Sequence, residues 1–292
     1  MADPTTAAAT ETTSPGFLLV DGPVVRVRRC RHGPMAYLTQ DAYVGRSLDL
    51  YGEYGEDEQV MLARMVRPGD IVVEAGANLG SRTVPLAQKV GPTGAVIAFE
   101  PQRFVYQIMC ANVALNELTN VRAQNAAVGE APGVLDVPAI SYSTPNNFGG
   151  VSLDGVSTAK VSANVAAEKV PVVTIDSLNL PHMRLLKIDV EGMERAVLAG
   201  ARETIKRCRP FLYFEADRRE RNPELISLAL ELGYRLWWHM PFLFNQNNFA
   251  GNATNVFGRI VSLNLLGVPK EVKTVVQGLK EVTGPNEPHP IG

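Results

Sequence analysis

Between Asp70 and Gly80 an apolar run, Ile71-Val72-Val73, ends in the carboxylate Glu74 and in a turn that carries Gly76, Asn78 and Gly80. Such a run suits a parallel strand covered on both faces, and the two glycines let the backbone approach a ligand at the start of the next helix. A second run, Ala95 to Phe99, ends in Glu100, where an acidic residue in folds of this kind accepts hydrogen bonds from ribose hydroxyls. A pyrophosphate cradle would read Gly-x-Gly-x-x-Gly; here the turn reads Gly-Ala-Asn-Leu-Gly, without the middle glycine. Asn78 offers an amide and Glu74 a carboxylate, which suit the ammonium and carboxylate of an amino acid better than phosphates. S-adenosylmethionine joins an amino acid to a ribose, and S-adenosylhomocysteine remains after it gives up its methyl group. The spacing therefore favours a class I methyltransferase over a nicotinamide dehydrogenase.

Further carboxylates stand at strand ends. Methyl transfer from a sulfonium is an in-line displacement, so the protein's first tasks are to align the reacting atoms and exclude water. A neutral hydroxyl also needs a base during attack. Asp189 follows the strand Leu185-Leu186-Lys187-Ile188 and Glu191 lies in the turn after it, beside the crevice expected at the carboxyl ends of an open sheet. Asp189 is the first choice of base. Glu215 ends the neighbouring strand from Phe211 to Phe214, as a second base, an acceptor-binding group or a partner for Lys187 or an arginine. Glu194, at a helix start, reads as a dipole-stabilising cap. His239, a further candidate base, sits among Trp237, Trp238, Phe242, Phe244, Asn245, Asn247 and Asn248, a mixture that suits a sugar or polyol, although such a segment is more often a packed closing strand and a lone histidine a satisfied polar residue. Asp189, Glu191 and Glu215 also offer oxygen ligands to a divalent cation, but nothing in their spacing requires one, so a metal is not favoured.

Strands and helices alternate to position these groups: strand 70–75, helix 80–89, strand 95–99, helix 102–116, strand 120–124, then strands ending at Asp189 and Glu215. This predicts an α/β fold, a Rossmann-like, doubly wound and mostly parallel seven-stranded sheet with an antiparallel closing strand. The closing pair is read at "YRLWWHM" and "NVFGRIVSLNLL". Residues 1–15 read as a disordered extension, 16–66 as a β-rich cap of hairpins followed by a helix, 67–266 as the catalytic domain, and 267–292 as a C-terminal helix and tail. Val272, Val275, Val276 and Leu279 would form one face of that helix. The Gly-, Ser- and Asn-rich excursion 131–168 reads as a partly ordered lid with Asn147, Gly149 and Gly150 at its tip.

The order of motifs resembles the FkbM family of S-adenosylmethionine-dependent methyltransferases, whose GxNxG loop and KIDVEGxE junction appear here as "EAGANLG" and "KIDVEGME". The likeness extends to "YGE" at Tyr51 to Glu53, "AFEP" at Ala98 to Pro101, Asn112, Asn116, "NAAVG" at Asn125 to Gly129, "VTIDSL" and "FE" at Phe214 and Glu215. It covers roughly residues 50–216. It implies O-methylation of a sugar, glycan or natural product. It also implies that Glu74, Gly76, Asn78 and Gly80 surround the methionine portion, that Glu100 with Pro101 meets the ribose, that Ala126 or Ala127 lies near adenine, and that Asp189 borders the methyl group. Glu74 replaces a more familiar Asp, which keeps the charge and adds one methylene. Tyr51 and Glu53 would either close over the methionine end or pack before the following helix.

At 292 residues and 46% hydrophobic the chain can bury a large core. A net charge of −2 gives no attraction to nucleic acid or anionic lipid, so a small-molecule or glycan acceptor is expected. Nucleic-acid amino-group methylation would call for an Asn/Asp-Pro-Pro-aromatic loop where Asp189-Val-Glu-Gly stands. Cys30, Cys110 and Cys208 form no disulfide or thiolate-metal pattern, no export signal is visible, and no apolar stretch reaches membrane-spanning length; a cytoplasmic protein is expected. The sequence leaves a homo-oligomer open. The reading from another class is a non-catalytic scaffold that retains the cofactor fold.

Overall fold

The computed structural model describes residues 17–150 and 167–291. An antiparallel sheet opens the described chain, with β1 Leu18–Asp21, β2 Val25–Cys30 and β3 Gly33–Leu38 in that spatial order. Two helices follow, α1 Val44–Tyr51 and α2 Glu56–Met65. The first corrects the expectation of hairpins followed by a single helix within 16–66: Leu48, Leu50 and Tyr51 of α1 are buried, so tertiary packing recruits this stretch as a helix.

The central sheet is built from β4 Ile71–Ala75, β5 Ala95–Phe99, β6 Val121–Gln124, β10 Leu185–Ile188, β11 Phe211–Glu215, β12 Tyr234–His239, β13 Asn264–Pro269 and β14 Lys280–Val282. Its order is β14-β12-β13-β11-β10-β4-β5-β6. The pairs β11/β10, β10/β4, β4/β5 and β5/β6 are parallel, and β13 runs antiparallel between β11 and β12. Seven of these strands have the expected class I arrangement, and β14 adds an antiparallel eighth on the outer edge of β12. Here the expected C-terminal helix is corrected. Val272, Val276 and Leu279 pack partly buried against the core and Val275 is exposed, but the backbone is irregular and then forms β14, because the free edge of β12 pairs with Val282.

Strand alternation divides the core. Val72 faces α2, α3 Thr83–Val90 and α4 Arg103–Leu115, while Val73 faces α5 Glu194–Ala199, α6 Arg202–Cys208 and α7 Asn222–Glu231. The helical stretch that starts at Glu194 is split into α5 and α6 at Gly200, where a Cβ would lie 2.0 Å from the Gly129 carbonyl oxygen. That close contact bends the element at the only residue type that fits. A third sheet, β7 Ala127–Val128, β8 Gly133–Val137 and β9 Glu168–Val173, gives ordered strands to both ends of the 131–168 excursion. Its 151–166 portion lies outside the described residues, as does the expected extension 1–15.

Asn112 ties the first sheet to the central domain. Fully buried on α4, it accepts the Ala36 N–H at 2.6 Å and donates to the Ala36 and Leu79 carbonyls at 2.9 and 2.7 Å. No helix among the described residues is long and apolar enough to cross a membrane.

Candidate active site

A cavity of about 300 Å³ opens where the carboxyl ends of β4, β5, β10 and β11 meet, and a smaller recess adjoins it across Gly76, Glu100, Gly149 and Asp189. The turn after β4 forms one wall. Gly76 has φ +80° and an added Cβ would lie 1.7 Å from the Asp189 carbonyl oxygen, so only glycine lets these two strand ends approach. The Gly76 and Ala77 amides donate to the Phe99 carbonyl at 3.0 and 2.8 Å. Asn78 adopts φ +52° and its side-chain oxygen accepts the Leu79 amide at 2.6 Å. Glu100 locks the turn from the neighbouring strand: one carboxylate oxygen accepts the Asn78 amide and the other the Gln102 amide, both at 2.9 Å. Burial pushes the Glu100 carboxyl up to about 7, against the pull of those two amides. Two acceptors remain on its oxygens, facing the cavity.

The opposite wall is acidic. Asp189, Glu191 and Glu215 come together with one oxygen of each within 4.8 Å of the others. Lys187 Nζ lies 3.2 Å from Asp189 Oδ2 and 3.5 Å from Glu74 Oε1; burial opposes its charge, but Asp189 and Glu74 prevail and raise its pKa. Arg218 donates to Glu191 Oε2 at 3.0 Å. Burial, with the charges of Asp189 and Asp217, nevertheless pushes Glu191 up to about 8. Burial and the charges of Asp189 and Glu191 hold Glu215 well above the usual carboxylate range.

Gly76, Asn78, Glu100, Asp189, Glu191 and Glu215 thus line the larger cavity, and Pro101, Ala126 and Ala127 line the recess with Phe99, Val128, Val190 and Met193. Other expected residues stand elsewhere. Glu74 is fully buried beneath the turn, where it accepts the Thr83 hydroxyl at 2.6 Å and faces Lys187 rather than the cavity. Gly80 meets Met109 of α4, a packing contact. His239 is buried and shares a 2.7 Å hydrogen bond between Nδ1 and the Tyr213 hydroxyl. Its aromatic neighbours Trp237 and Trp238 are core, Asn245 donates to Glu53 Oε1 at 2.8 Å, and Asn248 holds its own loop. Tyr51 and Glu53 also pack rather than line the cavity: Tyr51 accepts the Val256 amide at 3.0 Å, and Glu53 accepts Arg31 Nε at 2.6 Å and the Phe249 amide at 2.8 Å. Glu194 accepts the Gly192 amide at 2.9 Å and so caps its turn.

The structure adds residues that sequence motifs did not single out. Arg82 and Glu58 form a buried pair at 3.0 Å beside Tyr54, and all three reach the cavity. Gln102 donates to the Phe148 carbonyl at 2.7 Å, anchoring the segment that brings Asn147 and Gly149 to the rim. Ser262 and Asn264 arrive from the start of β13. Tyr54, Arg82 and Gln102 stand within two residues of the Glu53, Gly80 and Pro101 motif positions, whereas Ser262 and Asn264 are remote from any motif and only the spatial order of the strands brings them in.

The Methyltransferase FkbM domain family matches residues 74–236, more than half of the chain. Methyltransferase sdnD of Sordaria araneosa is 30% identical over 159 residues, 45% of this chain and 60% of that protein. The tRNA (adenine(58)-N(1))-methyltransferase catalytic subunit TRM61 of Cryptococcus neoformans is 41% identical over 83 residues, 25% of this chain and 19% of that protein. The chain therefore spans less than two thirds of either relative. The crystal structure of Methyltransferase FkbM from Methylobacillus flagellatus KT aligns at 16% identity and TM-score 0.43, over 72% of this chain and 50% of that one. With the family match running from the Gly76 turn through the acidic strand ends, this chain belongs to the FkbM methyltransferase domain family.

Proposed function

We propose that this chain methylates a hydroxyl oxygen of a neutral, polyhydroxylated acceptor such as a sugar, a glycan or a natural product, with S-adenosylmethionine as donor. The observation that carries the acceptor class is the wall opposite the Gly76 turn, where Asp189, Glu191, Glu215, Asp217, Ser262 and Asn264 offer oxygen-rich hydrogen bonding and an excess of acid. Such a wall suits hydroxyls and opposes phosphate or carboxylate groups, which argues against a nucleic acid acceptor.

The donor fits the other wall. Glu100 has free acceptor capacity for ribose hydroxyls, and the apolar recess between Phe99, Ala127, Val190 and Met193 suits a flat base. Gln102 Oε1 is buried there without a partner and can accept from a bound ligand. When bound, S-adenosylmethionine supplies an electrophilic methyl group. The chain's own part is to place the acceptor oxygen and take its proton. Lys187 holds Asp189 by Oδ2, leaving Oδ1 as the proton acceptor, a contribution of roughly 10²- to 10⁴-fold. Burial raises Glu191 to about 8, so it can donate as well as accept hydrogen bonds to neighbouring hydroxyls, and Glu215, raised by burial and by the charges of Asp189 and Glu191, offers further oxygens beside it.

The test is transfer of radiolabelled methyl to a panel of glycosides, polyhydroxylated and hydroxylated small molecules, phosphorylated and carboxylated analogues, and tRNA. Label should enter neutral hydroxyl compounds as base-stable ethers. Preferential labelling of tRNA or of an anionic acceptor would overturn the proposal.

A further inference from the structure

We infer that Asp189, Glu191 and Glu215 form a site for one hard divalent cation, of the magnesium or manganese type, that holds two oxygens on adjacent carbons of the acceptor. This deepens the reading of the acceptor wall given above and rests on it. The three carboxylates come from separate points of the fold, the end of β10, the turn after it and the end of β11, yet one oxygen of each lies within 4.8 Å of the others. Oxygens bound to a common cation at about 2.0–2.6 Å are separated by no more than about 5 Å, so this spacing fits one coordination sphere. Lys187 and Arg218 orient Asp189 and Glu191 from outside the cluster, at 3.2 and 3.0 Å. Glu215 has no cationic partner among the described residues, and its Oε2 is buried with no hydrogen-bond partner.

Asn264 supplies an independent observation. It stands opposite Glu215 in the β11/β13 register, is 6% exposed and lines the same cavity, and its Nδ2 has no hydrogen-bond partner. A buried amide donor left unsatisfied is costly. It requires an acceptor oxygen in the cavity, and a water or hydroxyl oxygen on a cation held by Glu215 would supply one. Three carboxylates fill half of an octahedral sphere and leave positions for a bidentate ligand, which a vicinal diol or an α-hydroxycarbonyl group provides.

Titration of the full chain with Mn²⁺, followed by loss of the free-ion electron paramagnetic resonance signal, tests the site without donor or acceptor present. We expect one saturable site with Kd on the order of 10⁻⁴ M, displaced by Mg²⁺. Glu215→Gln and Glu191→Gln should each weaken it by ~10-fold or more, while Asp136→Asn, in an exposed pair with Lys169, should leave it unchanged. Absence of saturable Mn²⁺ binding by folded protein, or binding as tight as the native protein's in both Gln variants, would overturn the inference. S-adenosylhomocysteine binding is measured on the same samples. Its retention without Mn²⁺ binding removes the cation site alone, and its loss with Mn²⁺ binding intact removes the methyltransferase reading of the cavity while the cation site stands.

Discussion

Lys187→Met tests the charge arrangement beneath the site. In the native protein Glu74 is fully buried, and Lys187, 4% exposed, is the cation that faces it at 3.5 Å. Burial already raises the Glu74 pKa above its ordinary value of 4.5, with Lys187 and the Thr83 hydroxyl pulling the other way. Without the ammonium, the carboxyl must enter the fold protonated. At pH 7.5 full protonation costs about 4 kcal/mol relative to the unfolded chain, from about 1.36 kcal/mol for each pH unit above 4.5, and this is the upper bound on the variant's loss because the native carboxyl is already raised. The figure agrees with the roughly 3–5 kcal/mol lost when one partner of a buried pair is removed. The sign is fixed: with its folded pKa raised further, Glu74 destabilises the variant more as pH rises. The loss should therefore shrink to about 1–2 kcal/mol at pH 5.5. Thermal melting followed by circular dichroism should show a drop of up to about 8–16 °C at pH 7.5, at about 2–4 °C per kcal/mol for a protein of this size. Glu74→Gln combined with Lys187→Met removes both charges and should recover much of the stability. A shift below ~3 °C at pH 7.5, or one independent of pH, would refute this reasoning.

Three other outcomes follow from the geometry. Asp189→Asn should lower turnover by roughly 10²-fold or more with melting temperature nearly unchanged; full turnover with an identified acceptor would remove Asp189 as the base. Glu100, with a folded pKa of about 7 against an ordinary 4.5, stabilises the ligand-free protein fully below pH 4.5, and that stability is lost as pH rises through 7, a change on the order of 3 kcal/mol. The stability profile of Glu100→Gln between pH 5 and 8 should accordingly be flatter than that of the native chain, and parallel profiles would contradict the assignment. His239→Gln should reduce stability, by about 1 kcal/mol through loss of the Tyr213 hydrogen bond, and leave KM for the donor unchanged. A large loss of turnover at intact stability would return His239 to the reaction.

The site elements most legible in the sequence are those made by contiguous residues. Ile71 to Gly80 encodes a strand, a glycine turn and a helix start within one window, and Ile188 to Glu194 encodes the second junction in the same way. The direction in which Glu74 points was less accessible, yet the strands contain a clue. Glu74 and Lys187 are the charged interruptions of two apolar runs, and the parallel register places them side by side. Matched opposite charges inside adjacent buried strands indicate a buried pair rather than a ligand contact. Asn264 carries no such local signal, because its place at the cavity depends on which strands become neighbours. The valines at 272, 275 and 276 have helical spacing, but the unpaired edge of β12 decides the backbone there. Local periodicity loses to a row of unsatisfied strand amides and carbonyls.

The most direct test of the central claim is calorimetric titration of the purified chain with S-adenosylmethionine and S-adenosylhomocysteine, beside Glu100→Ala and Asn78→Ala. Stoichiometric binding of both ligands by the native protein, weakened by ~10-fold or more in each variant at unchanged fold, is the predicted result, since Glu100 carries charged hydrogen bonds of roughly 1.5–3 kcal/mol each. Failure of the folded native protein to bind either ligand, or binding indifferent to both substitutions, would contradict the placement of the donor at the Gly76 turn.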